Sequence, residues 1–242
     1  MSRFIFSISL LLIGFQSFAQ ETANDTIASP LKIQRYGVRV GADLYKIART
    51  LYDDNYQGFE IVGDYRLTKK FYVAAEIGNE KITVDDDQLN FTTNGNYIKV
   101  GFDFNAYENW LDMENMIYAG LRYSFSTFSQ NLNSYRVYNN SGIDYNETSY
   151  FEEVTLYPNT EYTGLTAHWA EVVGGIKAEL INNLYMGFSV RLNFLITESK
   201  PDNFDNLYIP GFNRTYNGTF GAGFNYTLSY FIPIYKTGGV KK

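Results

Sequence analysis

Few residues in this 242-residue chain could make or break bonds. It holds one histidine, His168, and no cysteine. That excludes thiolate metal sites, cysteine nucleophiles and disulfide frameworks. His168 is the sole candidate base for a hydrolytic site. A His-x-Ser pair would need serine at 170, but Ala170 stands there, and nothing in the sequence fixes how far Ser126 and Ser129 lie from the imidazole. Beside Trp169, His168 reads more simply as part of an aromatic belt at a membrane interface. The runs Asp53-Asp54 and Asp85-Asp86-Asp87 could attract Ca²⁺, yet they lack the spaced ligands of a calcium loop and read as solvated charge. No glycine-rich phosphate loop opens a helix and no metal-ligand spacing occurs. The expectation is therefore a chain with no catalytic residue, no metal and no cofactor.

The remaining chemistry is ionic, and it is patterned. Beyond residue 20 the chain shows period-2 alternation and almost no helical periodicity. Eight segments carry it, roughly 35–47, 58–67, 71–80, 97–106, 117–127, 167–180, 184–197 and 218–232. In every segment one face is free of charge: Val38 and Val40, Ile61 and Tyr65, Val73 and Ile77, Val100 and Phe102, Leu121 and Tyr123, Val172 and Ile176, Phe188 and Leu192, Phe224 and Tyr226. The opposite face carries Arg39, Asp43, Glu60, Asp64, Arg66, Glu76, Lys99, Asp103, Arg122, Glu171, Lys177 and Arg191. Glycines share that polar face, among them Gly37, Gly41, Gly101, Gly120, Gly187, Gly221 and Gly223.

Two architectures fit such an alternation. A soluble up-and-down barrel or sandwich would bury the apolar face. A membrane barrel would turn it toward lipid and turn the ions toward its axis. Near balance of acids and bases on the polar face favours the second, because an unpaired ion in a narrow, poorly hydrated interior costs several kcal/mol. Aromatic residues make up 18% of the chain, with 22 Tyr and 19 Phe, a large stock for the inside of a small barrel. The expected fold is all-β: an eight-stranded antiparallel up-and-down transmembrane β-barrel over residues 35–232. The inward ions then read as a plug of paired charges; a gated ion path, or proton binding at Glu76 or Glu171, is the alternative.

Chain ends and connections agree with export. Arg3, the apolar stretch Phe4–Phe15 and Ser17-Phe18-Ala19 form a signal peptide over 1–19, with residues 20–34 a periplasmic leader and 233–242 a tail. The apolar stretch is shorter than the ~20 residues of a membrane-spanning helix. Connections alternate: tight ones at 67–70 and 181–183 and a somewhat longer one at 107–115, against long ones at 48–57, 81–96, 128–166 and 198–217. Short periplasmic turns and long extracellular loops follow. Within 128–166, Tyr135, Tyr138, Tyr145 and Tyr150 stand among Asn, Ser and Glu, a composition that suits a binding loop and equally a hairpin extending the barrel wall. The formal net charge of −6 disfavours a nucleic-acid partner.

Signal peptide, alternating strands and long outer loops together resemble the small outer-membrane barrels of the OmpA/OmpX type. The segments Tyr36-Gly37-Val38-Arg39-Val40-Gly41-Ala42-Asp43 and Tyr65-Arg66-Leu67-Thr68-Lys69-Lys70-Phe71-Tyr72 look like an uncharacterised barrel family of Bacteroidetes-type bacteria. The resemblance implies a monomer in the outer membrane of a Gram-negative cell. Its partners would be membrane lipid and lipopolysaccharide, the barrel-assembly machinery and a possible extracellular ligand. It implies a structural or adhesive role rather than an enzymatic one, with a narrow pore as second reading and an outer-membrane lipid hydrolase as third. Barrels of this type end on a terminal aromatic, whereas here Phe231 is followed by Pro233 to Lys242 with three lysines.

Overall fold

A computed structural model describes residues 34–107, 114–139, 152–202, 205–212 and 218–237. Arg35–Thr237 form one compact unit. The expected signal peptide and leader lie almost wholly outside the described residues.

Nine strands and one helix occur among the described residues: β1 Gln34–Asp43, α1 Leu44–Tyr52, β2 Tyr56–Arg66, β3 Phe71–Asp85, β4 Leu89–Asn105, β5 Met116–Asn139, β6 Glu152–Leu156, β7 Thr160–Ile181, β8 Leu184–Glu198 and β9 Phe220–Thr237. Eight strands hydrogen-bond in the order β1-β2-β3-β4-β5-β7-β8-β9, and β9 returns to β1. The ring is therefore closed and pairs its main-chain groups without sheet edges over most of its height. β6 stands outside it, paired to β5 at Tyr135–Asn139, beyond the level where β7 ends its pairing at Leu132.

The alternation sorts side chains as the pleat requires. Arg39, Asp43, Glu60, Asp64, Glu76, Lys99, Asp103, Arg122, Glu171 and Arg191 are buried inside the ring, and Arg66 and Lys177 are half-buried there. Val73, Ile77, Val100, Phe102, Leu121, Val172, Val190 and Leu192 stand exposed outside it.

Three expectations need correction. The first strand stops at Asp43 instead of 47, because the Asp43 side chain accepts the Tyr45 N–H at 2.8 Å and caps α1. The stretch 81–96 and the described parts of 128–166 are largely strand. The β3–β4 register runs from Phe71↔Phe104 to Asp85↔Asn90, and β5 reaches Asn139. β9 passes the expected boundary at 232 and continues through Pro233 to Thr237.

Along these long strands the phase is constant while the polarity inverts. Near the short turns Ile77 and Ile98 face out, and Glu76 and Lys99 face in. Toward the long hairpins Asn79, Lys81, Asn94 and Thr127 face out, and Ile82, Phe91, Phe128 and Leu132 are buried inside.

At the β7–β8 turn Asn183 takes φ 68°, and its side chain accepts from Arg35 at 2.7 Å. A Cβ-bearing residue without a local hydrogen bond is strained there. Asn183→Ala is expected to destabilise the barrel by about 1 kcal/mol more than Asn183→Gly. Equal urea midpoints for the two variants would contradict this.

Candidate functional site

The inward ions form one alternating chain through the ring. Arg39 Nε meets Asp64 at 2.8 Å, and Asp64 meets Lys177 at 2.6 Å. Lys177 reaches Asp103 at 3.8 Å, which faces Arg122 at 2.7 Å as an ion pair without hydrogen-bond alignment. Arg122 touches Glu76 at 3.2 Å, and Arg191 grips the same carboxylate with both terminal nitrogens at 2.6 and 3.0 Å. Arg191 also meets Glu171 at 3.0 Å, and Glu171 ends the chain on Lys99 at 2.8 Å. Two of these pairs cross the ring, β3 to β8 and β2 to β7, and a third, β4 to β7, spans the inner face of β5. Opposite walls are thereby tied together. At this level the described residues enclose a void of about 30 Å³, enough for about one or two waters.

Three of the twelve sequence-predicted ions lie elsewhere. Arg66 sits by the short turns, where its guanidinium donates to the Arg35 carbonyl at 3.0 Å and meets Glu114 at 3.6 Å, while Arg35 pairs with Glu179 at 3.1 Å. Asp43 and Glu60 belong to a second cluster toward the hairpins, where the Asn225 amide donates to both at 2.6 Å.

At the centre of that second cluster is Lys46, which lies within the expected first strand, 35–47, and is assigned to neither of its faces. Because α1 is helical, Lys46 turns inward and is buried. It pairs with Glu60 at 2.9 Å and Glu80 at 2.7 Å, and donates to the Tyr97 hydroxyl. Tyr97 in turn donates to Glu60 at 2.5 Å. The β3 phase put Glu80 on the polar face; only the helix supplies its cation.

The expected long loop after β8 also folds inward. Tyr208, Ile209 and Phe212 are buried, Ile209 and Phe212 against Tyr97, Phe128 and Trp169. A buried loop must find partners for its main chain, and lumen side chains supply them. Glu80 accepts the Gly211 N–H at 2.8 Å, Lys99 donates to the Gly211 carbonyl at 3.0 Å and Asn193 donates to the Phe212 carbonyl at 3.0 Å. Gly211 has φ 80°, and a Cβ there would meet the Tyr97 ring at 2.5 Å. Burial and the Glu80 carboxylate, which accepts from Tyr208 at 2.9 Å, hold the Tyr208 hydroxyl well above its ordinary pKa.

Between this loop, α1 and the upper strands lies a cavity of about 400 Å³. Tyr45, Tyr56, Phe91 and Tyr208 form part of its wall, and Lys46, Glu80, Lys99 and Arg191 form its ionic floor.

His168 faces outward at the level where the polarity inverts, and its Nδ1 lies 3.0 Å from the Tyr123 hydroxyl. Trp169 points the other way: it is fully buried and donates to Glu171 at 2.7 Å, so it is no part of an outer belt. Ser126 is also inside, its hydroxyl donating to the Asn96 carbonyl at 3.2 Å, and the barrel wall separates it from His168. Of the loop tyrosines, Tyr135 pairs with Leu89 and Leu156 in the extended wall, and Tyr138 lies in β5 opposite Glu153. Tyr145 and Tyr150 lie outside the described residues. Among the described residues no group of His, Asp and Glu is placed to hold a metal ion.

No curated protein matches the chain in sequence. Among solved structures, the attachment invasion locus protein Ail of Yersinia pestis aligns with 83% of this chain and 95% of its own length, at 11% identity and a TM-score of 0.37. Residues 1–237 match the family described as a domain of unknown function, DUF6048, and the chain belongs to that family.

Proposed function

We propose that this member of the DUF6048 family is an exported, monomeric outer-membrane barrel, closed to ions by its charge plug. Its activity is one of surface interaction at the hairpin end rather than catalysis. The observation that carries the reading is the inversion of polarity along β3, β4 and β5. A soluble barrel has no reason to turn Ile77, Ile98 and Leu121 outward and then, on the same strands, to turn Ile82, Phe91 and Leu132 inward. A lipid boundary between the two levels gives that reason.

The dimensions agree. From Leu184 to Phe194 the outward residues of β8 span ten steps, and at ~3.4 Å per residue and a tilt of ~40° this climbs about 26 Å, against about 25 Å for the apolar band of such barrels. Tyrosines and phenylalanines ring the short-turn end: Tyr36 stacks on Tyr235 at 5.0 Å and Phe71 packs on Phe104 at 5.2 Å. They suit the headgroup level of the periplasmic leaflet. The hairpin end then faces outward from the cell, and lipopolysaccharide surrounds the level of His168.

Purified protein folded in detergent is expected to migrate differently before and after boiling, and to give no sustained current steps in a planar bilayer. Detergent-free solubility of the folded chain would defeat the membrane assignment. Sustained open steps would replace the plug with a narrow pore.

A further inference from the structure

Among the described residues the barrel wall is interrupted where β1 stops. β1 ends at Asp43, where Ala42 pairs with Ile61 and Gly41 lies against Leu228 and Ser229. Beyond that level no described strand fills the space between the upper part of β2, Tyr56–Glu60, and the upper part of β9, Phe220–Asn225. α1 occupies it and packs on both. On the β2 side the helix covers the open edge. Thr50 accepts the Gly58 N–H at 2.8 Å and donates to the Gly58 carbonyl at 3.1 Å. On the β9 side the contact is a ring packing, Tyr45 on Phe224 with centroids 4.6 Å apart. No described helix group hydrogen-bonds to the main chain of Phe220–Phe224.

The 400 Å³ cavity runs along that edge. Four successive residues of β9, Ala222, Gly223, Phe224 and Asn225, line it. Successive strand residues point to opposite faces, so a cavity touching all four reaches from the lumen into the wall. Its size is that of a small-molecule site. Outside the seam the surface is apolar, with Phe188, Phe220 and Phe224 exposed.

The cavity floor selects for charge. Lys46 is paired with Glu60 and Glu80, Lys99 with Glu171, and Arg191 with Glu76 and Glu171. An anionic or cationic ligand would have to break one of these pairs; a neutral one need not. Two lining residues have hydrogen-bonding capacity left over. Arg191 Nε and Asn193 Oδ1 are buried without a partner, a donor and an acceptor that together match a hydroxyl.

We infer that the cavity binds one neutral single-chain amphiphile, with its hydroxyl-bearing head on the floor and its chain leaving through the seam between α1 and β9. The inference rests on the membrane reading, since the seam delivers a chain only if lipid lies outside it.

The test uses the full chain folded in amphipol and radiolabelled 1-monolauroylglycerol as probe. One molecule is expected to bind per barrel. Blocking the seam by Ala222→Trp, or filling the cavity from the opposite wall by Val84→Trp, is expected to weaken binding at least about tenfold. Leu121→Trp, on the outer face of β5 across the ring from the seam, is expected to leave it unchanged. Equal binding by wild type, Ala222→Trp and Val84→Trp would overturn the proposal, as would lauric acid binding as well as the monoglyceride, or free glycerol binding as well as either. The two readings fail separately. A folded, heat-modifiable barrel that takes up no probe defeats the cavity assignment alone, and a chain that stays soluble without detergent defeats the membrane reading.

Discussion

Glu76→Ala is expected to cost the folded barrel about 3–5 kcal/mol, the penalty for removing one member of a buried ionic group and leaving its partners charged. Glu76 is the point at which the effect is largest. Its carboxylate holds Arg122 at 3.2 Å and Arg191 at 2.6 and 3.0 Å, and all three side chains are buried. The alternating chain carries five cations, Arg39, Lys99, Arg122, Lys177 and Arg191, against four carboxylates, Asp64, Glu76, Asp103 and Glu171. Without Glu76 the excess charge rises and sits beside a void of about 30 Å³. Arg191 keeps Glu171 and Arg122 keeps Asp103, so the barrel retains partial compensation and the loss falls short of the cost of isolated buried ions. Urea titration of the folded protein in lipid vesicles, read by the migration shift on gels, measures the change. Glu76→Gln keeps the shape and an acceptor oxygen, and is expected to lose less than the alanine variant. Wild-type stability in Glu76→Ala would mean that ties across the lumen contribute nothing to holding the walls.

Legibility from sequence followed the physics of each signal. Period-2 alternation is a local property of the strand, so the identity of the inward ions was readable from Arg39 to Arg191. Their partners were not. Register neighbours such as Glu76 and Lys99, or Arg122 and Glu171, face each other across adjacent strands, yet the shortest pairs reach over the lumen to strands far away in sequence. α1 was hidden because Tyr36 to Leu44 alternates without a break, and the cap at Asp43 looks like one more inward acid. The inward fold of 205–212 was hidden because Tyr208 and Ile209 before Pro210 carry no period at all. Only the lumen groups that receive them, Glu80, Lys99 and Asn193, explain their burial. Inversion of polarity beyond Glu80 had a visible trace in Lys81-Ile82-Thr83-Val84, whose alternation continues the β3 phase with the apolar residues on the opposite side.

That inversion supplies the sharpest separation of a membrane barrel from a soluble one, through a charge placed on the outer face. Val190 lies midway along the outward residues of β8 and Ile196 near its hairpin end, and both are exposed. In water, arginine at either position would change stability by no more than about 0.5 kcal/mol. In a bilayer the cost depends on depth: about 2–4 kcal/mol for Val190→Arg near the midplane, and about 0–1 kcal/mol for Ile196→Arg near the interface. Ile196 falls at the register shift between β7 and β8 whereas Val190 is regularly paired, so each arginine variant is read against glutamine at the same position, and the difference between the two arginine-against-glutamine costs isolates the surrounding medium. Equilibrium denaturant titration in vesicles, followed through the folded and unfolded gel bands, reads every variant under one condition. A difference of 1 kcal/mol or more with Val190→Arg the weaker is the expected result. Equal costs would place the outward valine and isoleucine in the same solvent, and the lipid boundary drawn between Ile77 and Lys81 would have no basis.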